Sequence, residues 1–73
     1  MKIVYHPSTN SAMIYLTEIP PGAVARMYAC DPREVGGMIN LDFDKDGRLL
    51  GIEVLDARGK LPHDALAKAE VRG

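Results

Sequence analysis

Met38-Ile39-Asn40-Leu41-Asp42-Phe43-Asp44-Lys45-Asp46-Gly47-Arg48-Leu49-Leu50-Gly51-Ile52-Glu53-Val54-Leu55 is the stretch that decides the fold. Ile39, Leu41 and Phe43 fall on one face of an extended segment, and Leu50, Ile52 and Val54 on one face of the next. Between them, Asp44-Lys45-Asp46-Gly47 carries turn chemistry, with Gly47 free to take the left-handed position that closes such a loop. The two apolar rows face one core only if an even number of residues connects the strands. That condition pairs Leu41 with Leu50 and Ile39 with Ile52.

Working outward, turn signals recur at Pro7-Ser8-Thr9-Asn10-Ser11, Pro20-Pro21-Gly22 and Asp31-Pro32-Arg33-Glu34. They leave strand-length pieces at Lys2–His6, Ala12–Thr17, Val24–Cys30, Met38–Phe43 and Leu49–Leu55. The fold class predicted is α+β, mostly β: an antiparallel meander of about five strands with a short C-terminal helix. Residues 1–73 read as a single domain, with the sheet over 2–61 and a helical tail over 62–73. In the tail, Pro62 suits a first helical turn, and Ala65, Leu66 and Ala69 make a narrow apolar stripe, so a helix is expected over Pro62–Val71. The second strand is apolar on both faces, Ala12, Ile14 and Leu16 against Met13 and Tyr15, which places it centrally or under cover on both sides. Met13, Met27 and Met38 are read as core filler, with an adaptable contact surface as the alternative.

Composition narrows the function classes. The chain is 47% hydrophobic and 26% charged, a globular balance, and its formal net charge is −1 with the two signs interspersed. Arg48, Arg58, Lys60, Lys68 and Arg72 gather in the C-terminal third, but acidic residues interleave with them and no aromatic is present for base stacking, so a nucleic-acid partner is not expected. No apolar run approaches the length of a membrane span, and the N-terminal residues lack a signal-peptide layout, so no membrane partner is expected and cytoplasm is the expected location. The single cysteine, Cys30, has no partner for an internal disulfide and fits a reducing compartment. A core this small often needs metal or self-association as support.

Asp42, Asp44, Asp46, Gly47 and, five residues later, Glu53 match the calcium-loop pattern D-x-D-x-D-G-x5-E. The carboxylates are the hard oxygen ligands calcium takes, but an EF-hand loop lies between helices, and Pro32, Gly36-Gly37 and Gly51 surround this one. With strands as flanks, Asp42 and Asp44 share a face while Glu53 falls beside Met38, so a solvated hairpin turn is expected and a cation site on Asp42, Asp44, Asp46 and Glu53 is the alternative. His6 and His63 have no partners at metal-ligand spacing, and no serine-nucleophile or phosphate-cradling motif occurs. No catalytic residue, metal or cofactor is expected.

Tyr5-His6-Pro7, Ser11-Ala12-Met13-Ile14-Tyr15-Leu16, Leu41-Asp42-Phe43-Asp44-Lys45-Asp46-Gly47 and Gly51-Ile52-Glu53-Val54-Leu55-Asp56-Ala57 together resemble the bacterial family called domain of unknown function 2283 (DUF2283). The likeness covers about residues 2 to 61 and departs from the family pattern at His6, where an aspartate is usual, and at Asn10-Ser11. The resemblance implies a fold rather than an activity, and it admits an antitoxin-like role beside a small toxin. The leading expectation is a non-enzymatic interaction module that self-associates, as a homodimer or other homo-oligomer, with room for a protein partner. Two alternatives come from other classes. One is a weak divalent-cation-binding domain on the Asp42-Asp44-Asp46 turn; the other is a small enzyme with a site shared between subunits, using His6, Tyr28 or Cys30.

Overall fold

In the computed structural model, which describes residues 1–73, the deciding stretch forms β4 (Ile39–Phe43) and β5 (Leu49–Leu55), paired antiparallel. Ile39 lies opposite Val54 and Leu41 opposite Ile52. The register is therefore two residues from the expected pairing of Leu41 with Leu50 and Ile39 with Ile52. Five residues, 44–48, separate the strands, an odd number that alone would put the rows on opposite faces, and one bulged residue in β5 restores the parity, so both rows still share one face. The cause of the shift sits at the bend. Asp44 Oδ1 accepts hydrogen bonds from the backbone N–H of Asp46 and of Arg48, both at 2.9 Å. The Gly47 N–H donates to the Asp44 carbonyl, and the Asp44 N–H to the Arg48 carbonyl. These bonds close the loop over residues 44–48. Phe43 then faces Leu49, Asp42 faces Gly51, and Leu50 is left as the extra residue of a β-bulge. Gly47 takes the left-handed backbone the turn demands, with φ 81°.

Four further strands complete the sheet: β1 (Lys2–His6), β2 (Ser11–Tyr15), β3 (Arg26–Ala29) and β6 (Glu70–Val71). The order across it is β3-β4-β5-β2-β1-β6. This corrects the meander. β5 lies between β2 and β4, and the segment 16–25 carries the chain from β2 to the far edge before β3 begins. β2 is interior, as its two apolar faces require: Ala12 faces Val54 and Tyr5, and Ile14 faces Ile52 and Ile3. The fold is mostly β within the α+β class, but the sheet is mixed, because β6 runs parallel to β1 with Val4 opposite Glu70 and Tyr5 opposite Val71.

The expected helix over Pro62–Val71 is replaced by two single turns and that sixth strand. α2 (Ala57–Lys60) begins before the tail, and α3 (His63–Ala67) follows Pro62. Proline pushes the residue before it into extended backbone, and Leu61 is extended at φ −98° and ψ 146°, which ends α2. Ala65 and Leu66 sit in α3, whereas Ala69 lies beyond it and the chain rejoins the sheet at Glu70. Asp31-Pro32-Arg33-Glu34, read as a turn, contributes a one-turn helix, α1 (Pro32–Val35). Asp31 Oδ1 caps it by accepting from the Arg33 N–H at 2.9 Å, and Gly36 closes it at φ 68°.

Only seven of the 73 residues are buried, among them Val4, Ala12, Leu50, Val54 and Ala57. The reason is architectural. One sheet is covered by single helical turns and loops, and the molecule measures 32 × 28 × 19 Å, so most apolar side chains are enclosed on one side only.

Candidate functional site

β3 is an edge strand with its four residues exposed, and its only strand neighbour is β4. The Cys30 N–H donates to the Ile39 carbonyl at 2.9 Å, which sets the phase of the ladder. Arg26, Tyr28 and Cys30 turn their backbone polar groups toward β4, and Met27 and Ala29 turn theirs outward. Met27 and Tyr28 are 54% and 52% exposed, and Met38, beside the end of β3, is 55% exposed. Core filler is thus the wrong reading for Met27 and Met38, because they stand where the sheet ends and nothing covers it. Met13 does pack inward: a Cβ added at Gly51 would meet its Cε at 2.6 Å and the Ile14 carbonyl oxygen at 2.8 Å. Strand alternation places Met27, Met38 and Leu55 on the face that carries Asp42 and Glu53, and Tyr28 on the opposite face with Leu41 and Ile52. The Arg26 guanidinium lies 4.8 Å from the centre of the Phe43 ring across the strand pair, which steadies the start of β3.

The register slip has a chemical consequence. Glu53 faces Asn40 rather than Met38, and so stands diagonal to Asp42, which faces Gly51. Asp42 is buried, at 4% exposure. The Glu53 carboxyl is held above its ordinary value, first by its hydrogen bond with the Asp42 side chain, then by burial, and then by the Asp42 charge. A protonated Glu53 can donate to Asp42 across that diagonal, which is the sense of its raised value.

The other two acids of the calcium-loop pattern are engaged elsewhere. Asp44 holds its own turn through the two N–H groups described above, and Asp46 pairs with Arg48 at 3.7 Å. Asp42, Asp44, Asp46 and Glu53 therefore do not converge as a ligand set, and no three histidine, cysteine or acidic side chains gather at metal-binding distance. The proposed enzyme residues are also apart within one chain. Tyr28 and Cys30 belong to β3 and its end and His6 to β1, four inter-strand spacings away, or roughly 19 Å. His6 lines a shallow cleft with Thr9, Ser11, Met13, Glu53 and Leu55 instead. Of the C-terminal cations, Lys60 Nζ donates to the Val35 carbonyl at 3.1 Å, and Arg72 pairs with Glu70.

Asn10, which the sequence marks only as a turn residue and as part of a departure from the family pattern, joins two distant parts of the chain. Its Nδ2 donates to Asp56 Oδ1 at 3.0 Å, and its Oδ1 accepts from the Arg58 N–H at 3.0 Å and from the Tyr5 hydroxyl at 3.3 Å. Its carbonyl accepts from the Ala57 N–H. Asn10 and Asp56 both have left-handed backbone, φ 52° and 53°. That conformation suits Asn and Asp among non-glycine residues, and it is the one signal the sequence carried.

A family model described as "Protein of unknown function (DUF2283)" matches residues 2–58 of the 73. No curated protein and no solved structure gave a match. No helix is long and apolar enough to cross a membrane.

Proposed function

The chain belongs to the DUF2283 family, and on that footing we propose that it is a non-enzymatic interaction module that self-associates. One observation carries the reading: the uncovered end of the sheet, where Met27, Tyr28 and Met38 are each more than half exposed beside a strand with a free backbone edge. Scattered apolar residues on a surface need no explanation, but three large ones around an unpaired edge are what a contact surface requires. With so few residues buried, association also supports the fold by enclosing apolar surface that one chain leaves in water.

Sedimentation velocity over a concentration series from micromolar to millimolar tests the reading. A mass that climbs from monomer toward an oligomer is expected. A monomer throughout, with no polypeptide co-purifying from the native host, would refute it. An antitoxin-like role is the special case in which a small toxin takes this surface, and it requires that second polypeptide.

A further inference from the structure

We propose that two copies of the chain join their β3 strands edge to edge, antiparallel about a two-fold axis beside Tyr28, so that the two sheets continue as one. The proposal rests on the self-association reading and names its geometry. Met27 and Ala29 direct their N–H and carbonyl groups away from β4, so the phase of the free edge is known. Antiparallel pairing of that edge with itself sets Met27 against the partner's Ala29 and Ala29 against the partner's Met27. Each pair exchanges two hydrogen bonds. Tyr28 then falls at the axis, in a non-hydrogen-bonded pair with the partner's Tyr28, the closer of the two pair types, where aromatic side chains on one face interact best.

The occupant is a second copy for three reasons. First, the pairing is self-complementary and closes on itself, as a two-fold interface must. Second, the charges match in sign: Arg26 opens β3, while Asp31, Arg33 and Glu34 follow its end with one net negative charge, Asp31 being paired with Arg33 at 3.2 Å, and an antiparallel arrangement lays each basic end near the partner's acidic end. Third, β3 carries no lysine or proline, its one charge, Arg26, is folded over the Phe43 ring, and the opposite edge offers only the two residues of β6. The apolar surface also continues across the join, since Met27 gains the partner's Ala29 beside it on the face of Met38 and Leu55.

Met27→Pro tests this with little disturbance of the monomer. It removes an N–H that points away from β4, and proline is tolerated at such edge positions. Sedimentation equilibrium on the wild type and on Met27→Pro, with circular dichroism as the fold control, is combined with a disulfide trap: Tyr28→Cys in a Cys30→Ser background under mild oxidation. The paired Cα atoms at the axis would lie about 4.5 Å apart, within reach of a disulfide. Expected are a wild-type dimer, a dissociation constant raised about tenfold or more in a folded Met27→Pro, and a cross-linked dimer from the trap. A wild-type dimer that Met27→Pro leaves equally tight, with no cross-link, overturns the edge pairing and leaves self-association standing. A wild type monomeric at every concentration overturns both. Should Met27→Pro fail to fold, the disulfide trap decides: a cross-linked dimer supports the pairing and its absence overturns it.

Discussion

Replacing Asn10 with alanine should destabilise the protein by about 2.5 kcal/mol. The side chain makes three hydrogen bonds, to Asp56, Arg58 and Tyr5, at 3.0, 3.0 and 3.3 Å. Asn10 is only half-buried, so each counts near the low end for an intramolecular hydrogen bond, roughly 0.5 kcal/mol, or about 1.5 kcal/mol together. Alanine must also hold φ at 52°, where an L residue with no side-chain hydrogen bond loses about 1 kcal/mol. A domain of this length is stable by roughly 4–11 kcal/mol, so the loss is a large share and lowers the melting temperature by about 10–20 °C. Urea unfolding at constant m-value measures it. Tyr5→Phe supplies the internal check: it should cost a few tenths of a kcal/mol to about 1 kcal/mol in the wild type and close to nothing once Asn10 is alanine. A loss below about 1 kcal/mol for Asn10→Ala, or the same Tyr5→Phe effect in both backgrounds, would show that Asn10 does not tie the β1–β2 turn to the start of α2.

Glu53→Gln should remove a pH dependence. The folded protein holds the Glu53 proton more tightly than the unfolded chain, so this contribution is complete below its ordinary value of 4.5 and is lost as pH rises through the raised value. The glutamine amide can donate to Asp42 at every pH, so the variant should be more stable than the wild type at neutrality and show a flatter urea midpoint above pH 4.5; an unchanged pH profile refutes the raised Glu53 value. Gly51→Ala should cost about 1–3 kcal/mol in urea unfolding, because its methyl would stand 2.8 Å from the Ile14 carbonyl oxygen, and a neutral substitution would place that contact in error. Asp44→Ala should cost about 1–2 kcal/mol through two lost turn hydrogen bonds, and millimolar calcium should leave the wild-type melting temperature unmoved; a rise would revive the cation site on Asp42, Asp44, Asp46 and Glu53.

Local features were legible in the residues themselves. Lys2–His6 and Leu49–Leu55 form strands with the bounds that alternation and turn chemistry indicate, and the Asp44–Gly47 bend turns as aspartate and glycine require. Parity held across the hairpin although the register did not, because side-chain period speaks to faces and is blind to a slip of two. That slip hides the acidic pair: the calcium-loop spacing reads Asp42 and Glu53 as alternative ligands of one ion, while the bulge at Leu50 sets them on a cross-strand diagonal. The tail reads as one helix because Ala65, Leu66 and Ala69 suit a helical stripe, and nothing local says that Glu70 and Val71 will find the edge of β1.

Sequence by itself determined where strands form, which side chains share a face, and where the chain turns, since each depends on neighbours within a few residues. Tertiary structure decided that β5 lies between β2 and β4, that β6 runs parallel to β1, and that Asn10 reaches Asp56 across 46 positions. Those contacts join segments far apart in the chain. Their energies depend on which apolar rows and free backbone edges meet in space, a competition among whole arrangements that no local pattern records.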